Sequence, residues 1–169
     1  TGTASGTYSM AVFNSAASAY GSISIGTGLV NDGEKSTAFG TNNQITSTAF
    51  QSFAACAGNT VSASYAAAFG GYNTASGYYA FVTGNNSTAS GVHSFAQGNS
   101  ATASGEYAVA FSGGQASGGR SFATTTGSAY GNSSIAIGYA SRAGNSDGGS
   151  PYGDGQIAIG TNSYASGQF

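Results

Sequence analysis

Small and larger side chains alternate in a five-residue unit that recurs along the chain. The unit reads small–x–small–x–small, and its two x positions often hold apolar residues, as in Ser22-Ile23-Ser24-Ile25-Gly26. Successive units start mostly 13 or 14 residues apart. Alternation with a period of two predicts β-strands, because successive side chains of a strand point to opposite faces. The eleven units start at Ser9, Ser22, Ser36, Ser52, Ala66, Ala80, Ser94, Ala108, Ser121, Ser134 and Gln156.

A second, weaker unit of the form Thr-Ala-Ser-Gly lies between these units, for example at 74–77, 88–91 and 102–105. Gly and Asn, which tolerate the positive φ of tight corners, separate the two kinds of unit. Two short strands per coil of about 14 residues, repeated in register, predict an all-β parallel β-solenoid. We expect residues 1–169 to form this single repeat domain, and the chain to be a segment of a longer fibrous protein.

The x positions are expected to point into the coil and to stack in apolar columns. Burying one Ile or Phe contributes only about 1.5–3 kcal/mol, whereas ordering the backbone costs about 1–2 kcal/mol per residue. A coil this narrow is therefore expected to be marginal alone and to form an obligate oligomer. The inward residues would include Ile23, Ile25, Val109, Phe111, Ile135, Ile137, Ile157 and Ile159.

Two stretches interrupt the repeat, at 28–35 and 145–155, and they hold four of the five acidic residues. We interpret both as insertions. Loops on a rigid scaffold often carry recognition, so Asp147, Tyr152 and Asp154 are candidate ligand-binding residues. Their spacing matches no established calcium loop.

One position before the small triplet carries an aromatic ring in four consecutive coils, at Tyr65, Tyr79, His93 and Tyr107. The 14-residue spacing predicts a ladder along one edge of the solenoid. Such a ladder would either bind sugars or a partner protein, or pack to stabilise the solenoid or seal a seam between chains; packing is the favoured interpretation. His93 has no second His and no carboxylate near it in sequence, so it is read as a replaced Tyr.

Composition excludes most enzymes, since only 5% of the residues are charged and the chain has one His and one Cys. Catalysis and metal binding need clusters of such side chains, so we expect no catalytic residue, no metal and no cofactor. A net charge of −2 argues against nucleic-acid binding, and no apolar run is long enough to span a membrane. Cys56 stands where the repeat usually has Gly, and we expect it to be a small buried residue.

Outward hydroxyl pairs also recur with 14-residue spacing, at Thr74/Ser76, Thr88/Ser90 and Thr102/Ser104. Flat ranks of hydroxyl and methyl groups are what an ice-binding face requires, so an ice-binding solenoid is one alternative function. A structural spacer of an extracellular filament, which binds nothing, is another.

Several units resemble the head repeat of trimeric autotransporter adhesins, the YadA-like left-handed parallel β-roll. Ser134–Gly138 matches the Ser-[Val/Ile]-Ala-[Ile/Leu]-Gly pattern, Gln156–Gly160 lacks only the Ser, and Ser94–Gly105 gives a full two-strand unit. The pattern is not followed throughout. Its glycine is replaced at Phe13, Cys56, Ser112 and Thr125.

The resemblance implies a parallel homotrimer at the end of a fibre on the bacterial cell surface. Such a head is a non-enzymatic adhesin that binds a host surface glycan or a matrix protein. Similar repeats also occur in phage tail fibres, so the alternative is a virion tail-fibre segment that recognises bacterial surface glycans.

Overall fold

Short β-strands make up most of the chain. A computed structural model describes residues 1–144 and 155–166, and 23 strands lie within them. In chain order they are β1 (Thr3–Ala4), β2 (Met10–Val12), β3 (Ser15–Ala17), β4 (Ile23–Thr27), β5 (Leu29–Asn31), β6 (Thr37–Thr41), β7 (Gln44–Ile45), β8 (Phe53–Ala57), β9 (Thr60–Val61), β10 (Ala67–Gly71), β11 (Thr74–Ala75), β12 (Phe81–Asn85), β13 (Thr88–Ala89), β14 (Phe95–Asn99), β15 (Thr102–Ala103), β16 (Val109–Phe111), β17 (Gln115–Ala116), β18 (Phe122–Thr124), β19 (Ser128–Ala129), β20 (Ile135–Ile137), β21 (Arg142–Ala143), β22 (Ile157–Ile159) and β23 (Tyr164–Ala165).

The strands form two parallel sheets. Odd-numbered strands make a sheet of 12 strands, and even-numbered strands make a sheet of 11. Neighbours in each sheet are parallel and one coil apart, as for Phe81 opposite Phe95 and Thr74 opposite Thr88. The predicted parallel β-solenoid with coils of about 14 residues is therefore confirmed. At about 4.8 Å per strand, the solenoid is about 50 Å long.

Small side chains line the interior of the solenoid. At the inner positions of the 11-stranded sheet, Ala38, Ala54, Ala68, Ala96 and Ala110 are completely buried. A coil of 13 or 14 residues leaves room between its two strands for methyl and hydroxymethyl groups, and a full set of Ile and Phe side chains would not fit.

The x positions consequently point outward, and the expectation that they line the core is wrong. Their side chains are half-buried at best, and Ile159 is 65% exposed. The outward residues include all those expected inside: Ile23, Ile25, Val109, Phe111, Ile135, Ile137, Ile157 and Ile159.

A column of buried asparagines runs along one corner of the interior. The Asn59 N–H donates to Asn43 Oδ1 at 2.8 Å, and the Asn73 N–H donates to Asn59 Oδ1 at 3.0 Å. The Asn59 amide also donates to the carbonyl oxygens of Ala55 at 2.7 Å and Gly70 at 2.9 Å. Because Ala55 and Gly70 lie on successive coils, each asparagine ties its own coil to the next one.

Glycines at the end of the repeat unit turn the chain between the two sheets. Gly84 and Gly98 have φ values of 117° and 119°, and a Cβ added to Gly84 would overlap the carbonyl oxygen of Gly98. Only glycine therefore fits this backbone without a local shift. The residues that replace it keep a smaller positive φ, of 66° at Phe13, 78° at Cys56, 47° at Ser112 and 50° at Thr125.

Residues 28–35 are not an insertion. Leu29–Asn31 is strand β5, and Val30 pairs with Gln44 in the same register as the other coils. The two extra residues lie in the next coil, between β7 and β8, where Thr48 Oγ1 donates to the Ser62 carbonyl at 2.7 Å. A regular 14-residue interval hid strand β5 because its residues, Leu-Val-Asn, depart from the Thr-Ala-Ser pattern.

Within residues 1–144 and 155–166, no helix is long and apolar enough to cross a membrane.

Candidate functional site

Four aromatic side chains project from one corner of consecutive coils. Tyr65, Tyr79, His93 and Tyr107 all have left-handed backbone conformations, with φ between 55° and 59°. The corners are held one above the other by backbone hydrogen bonds, for example from the His93 N–H to the Tyr78 carbonyl at 2.8 Å. The repeated positive φ therefore directs every ring of this set away from the core and along the same edge.

The four rings form a single stack, which we call the aromatic column. Ring centroids are 4.8 Å apart for Tyr65 and Tyr79, 4.9 Å for Tyr79 and His93, and 4.9 Å for His93 and Tyr107. The planes are within 14° of parallel in each pair. Because the faces of the rings contact one another, a sugar cannot stack on them. The edges and hydroxyl groups are what the column offers to a partner, and Tyr79 is 46% exposed.

Cations and further rings extend both ends of the aromatic column. The Arg120 guanidinium lies over the Tyr107 ring at 5.9 Å. At the other end, the edge of the Phe50–Tyr65 pair closes the stack at 5.7 Å, and Lys35 Nζ lies 5.2 Å from the Phe50 centroid. Each cation–π contact contributes about 0.5–1 kcal/mol at an exposed site. Phe50 and Lys35 escape sequence reasoning because the longer coil places Phe50, rather than a residue 14 positions from Tyr65, beside that ring.

Tyr78 joins the aromatic column from the side. Its ring stands nearly perpendicular to Tyr65 at 5.3 Å and to Tyr79 at 4.5 Å. Partial desolvation, together with the neighbouring hydroxyl groups of Tyr79 and Tyr65, raises the pKa of Tyr78 above its ordinary value of 10.0. Three phenol rings from two consecutive coils thus share one small patch of surface.

A second surface, which we call the apolar face, is the outer side of the 11-stranded sheet. Seven Phe rings follow one another along it with centroid distances of 5.0 to 5.9 Å. No Asp, Glu, Lys or Arg lies in any strand of this sheet that the structure describes. Exposed apolar surface of this extent marks an interaction site. The rings belong to Phe39, Phe53, Phe69, Phe81, Phe95, Phe111 and Phe122.

Comparison with known protein families agrees with this geometry. The YadA head domain repeat (2 copies) matches the chain at residues 74–91, 89–111, 129–146 and 153–169. The chain carries YadA head domain repeats. The matches cover less than half of its length, and the parallel β-solenoid extends the same architecture through the coils before residue 74. A search of the curated proteins finds no match.

YadA head repeats belong to adhesin-type, non-enzymatic proteins that are typically oligomeric and exposed at a surface. The charged residues of this chain fit that class. Within the described ranges, no group of three or more His, Cys, Asp or Glu side chains converges on a point that could hold a metal ion. Glu34 pairs with Lys35 at 3.7 Å, and both side chains are about half exposed.

The YadA head repeats also align one outer row of threonines on the 12-stranded sheet. Thr60, Thr74, Thr88 and Thr102 are direct neighbours in register. Their side chains are half-buried, and the serines two residues further on, from Ser76 to Ser104, are exposed. This row is uncharged and lies on the opposite sheet from the apolar face.

Two expectations about single residues need comment. Cys56 is exposed, so the expectation that it is buried is wrong. Its φ of 78° places the side chain on the outside of a corner where most YadA head repeats of this chain have Gly. Asp147, Tyr152 and Asp154 lie outside the described residues, so their role as binding residues stays a prediction.

Proposed function

We propose that this chain is the head segment of a trimeric, non-enzymatic adhesin displayed outside a bacterial cell. Residues 1–169 would form one domain of a longer fibre. The observation that carries the proposal is the apolar face, which follows the solenoid from Met10 to Ile159 without a charged residue. YadA head repeats support a trimer of parallel chains as the assembly that covers it.

Identical parallel chains suit the apolar face better than an unrelated partner. The ring spacing along the face follows the strand spacing of the solenoid, so two copies in the same register can interdigitate their rings over the full length. Phe81 is 37% exposed in the single chain, and removing the remainder of each such ring from water contributes about 1 kcal/mol. Repeated over the coils of three chains, this term supplies the stability that an alanine core lacks.

A charge on the apolar face tests the assembly. Phe81→Glu would place one carboxylate from each chain in the same apolar seam, at a large desolvation cost. Ser90→Glu in the same coil, on the opposite sheet, is the matched control because Ser90 is exposed. We expect Phe81→Glu to dissociate the trimer or unfold the chain, and Ser90→Glu to retain the mass of the unmodified protein. Equal masses for both variants would refute the apolar face as the interface.

Adhesion is proposed to use the edges of the aromatic column. Hydroxyl and imidazole groups repeat there every 4.8 to 4.9 Å and would contact a host surface glycan or a matrix protein. A trimer presents three such columns, so weak single contacts add up through avidity. The same arrangement would serve a phage tail fibre that binds bacterial glycans.

Phenylalanine substitutions separate binding from packing. Replacing Tyr65, Tyr79 and Tyr107 together with Phe keeps the stacked rings and removes three hydroxyl groups from each chain. We expect binding to glycan or matrix-protein arrays to fall sharply while the thermal unfolding midpoint changes little. Unchanged binding would contradict a role for the column, and the absence of any binding by the unmodified trimer would favour a structural spacer.

The register of the threonine row favours ice binding as a second candidate. Thr74, Thr88 and Thr102 present methyl and hydroxyl groups at the strand spacing, and the structure gives their side chains no hydrogen bond to a described residue. Thermal hysteresis that is lost in Thr88→Tyr would support this function. Ice growth unaffected by the unmodified protein would exclude it.

A further inference from the structure

Three tyrosines from two consecutive coils form a compact cluster at one end of the aromatic column. The ring centroids of Tyr65, Tyr78 and Tyr79 are separated by 4.5 to 5.3 Å. Each of the three side chains is between 36% and 46% exposed. The cluster therefore combines close ring-to-ring contact with access to small molecules in solution.

Other tyrosines of the chain have the exposure without the contact. Tyr72 and Tyr139 are 68% and 62% exposed, and neither ring contacts another aromatic ring among the described residues. They provide a comparison within the same molecule. If exposure alone decided reactivity with an oxidant, Tyr72 and Tyr139 would react before the cluster.

We propose that this cluster is a site of oxidative cross-linking, in which Tyr65 becomes joined to the Tyr78–Tyr79 pair of the next coil as dityrosine. The oxidant is hydrogen peroxide acting through a haem peroxidase, a one-electron oxidant of phenols. Fixed neighbouring rings favour the coupling because an intramolecular partner acts at a high effective concentration.

The reaction balances without any further reactant. Each of two phenols gives one electron and its hydroxyl proton to the oxidant, and the two radicals join through the ring carbons next to the hydroxyl groups. The hydrogen on each joined carbon then moves to the oxygen and restores the phenol. One hydrogen peroxide accepts the two electrons and two protons and becomes two water molecules, so the protein loses two hydrogen atoms.

The bond would join two coils that are otherwise held by sheet hydrogen bonds. It would close a loop of one coil, and a covalent loop restricts the unfolded chain more than the folded one. A surface fibre exposed to peroxide would thereby become harder to unfold. The site requires only a small oxidised mediator to reach the rings, so it is compatible with assembly through the apolar face.

Peroxidase treatment of the unmodified protein, followed by peptide mass spectrometry and dityrosine fluorescence, tests the proposal. We expect an intrachain peptide pair, lighter by two hydrogen atoms, that links Tyr65 to Tyr78 or Tyr79. Tyr65→Phe, which keeps the ring contacts, should abolish this product, and the control Tyr72→Phe should leave its yield unchanged. A product that survives in Tyr65→Phe, one centred on Tyr72 or Tyr139, or no intrachain product would each overturn the proposal.

Discussion

The buried asparagine column allows one perturbation to be worked out in detail, the replacement of Asn59 by Ala. The side chain of Asn59 is completely buried. Its Oδ1 accepts the Asn73 N–H at 3.0 Å, and its Nδ2 donates to Ala55 O at 2.7 Å and to Gly70 O at 2.9 Å. Truncation removes all three bonds and opens a cavity too small and too enclosed for bulk solvent to replace them well.

The expected cost follows from the groups left behind. A buried donor or acceptor that loses its partner costs about 1–3 kcal/mol. The Asn73 N–H loses its only side-chain acceptor, while the two carbonyl groups lose one donor each. We therefore expect Asn59→Ala to lower the free energy of unfolding by about 3–5 kcal/mol.

A serine at the same position is the matched control. Ser87 occupies the equivalent place in a later coil, where its Oγ donates to Gly98 O at 3.0 Å and accepts the Ala101 N–H at 3.0 Å. Asn59→Ser should keep the corresponding two bonds and cost about 1–2 kcal/mol, because only the bond to Ala55 O is lost.

Urea unfolding followed by circular dichroism measures both variants, at one fixed protein concentration because assembly contributes to stability. We expect the midpoint to fall most for Asn59→Ala and by less than half as much for Asn59→Ser. Equal losses in the two variants, or a loss below about 1 kcal/mol for Ala, would refute the account of the column as a hydrogen-bonded support.

Three further predictions concern single residues. The buried Ser94 hydroxyl has no hydrogen-bond partner among the described residues, so Ser94→Ala should raise the free energy of unfolding by about 1 kcal/mol; a lower urea midpoint would contradict this. Cys56→Gly should raise it by about 1 kcal/mol because a left-handed backbone strains a side chain, whereas Cys56→Ala should give no gain. The raised pKa of Tyr78 means that the folded chain holds this proton more tightly than the unfolded chain. Its contribution to stability is therefore complete below pH 10.0 and is lost as pH rises through the folded pKa; Tyr78→Phe should flatten this alkaline decline in the urea midpoint.

Strand positions and their stacking could be predicted from the sequence because both depend on spacing alone. Alternation at period two identifies the strands, and an interval of about 14 residues sets which residues become neighbours. The same arithmetic places Tyr65, Tyr79, His93 and Tyr107 in one column. It fails at Phe50, since two extra residues in that coil shift the corner away from the regular interval.

The direction of the side chains could not be predicted by asking which set is more hydrophobic. Alternation defines two faces of a strand but does not say which face is inside. In a wide coil the larger apolar set would be buried, whereas here the coil admits only small groups such as Ala54 and Ala68. A size limit was visible in the sequence, because polar residues such as Thr37 and Gln97 replace apolar ones at the x positions while the positions between them stay small.

The asparagine column was hidden by the ordinary behaviour of its residue type. Asn is common in turns, so Asn43, Asn59 and Asn73 blend with the surface corners of the repeat. Their burial follows from a corner whose backbone N–H groups have no strand partner and need a side-chain oxygen. Recurrence at one position in three consecutive coils was the available signal.

The molar mass of the unmodified protein in solution tests the central claim most directly. Light scattering behind a sizing column distinguishes one chain of 16.4 kDa from an assembly of three. An apolar face that needs partners of its own kind predicts three times 16.4 kDa, independent of dilution over the working range. A well-folded monomer of 16.4 kDa at every concentration would contradict it.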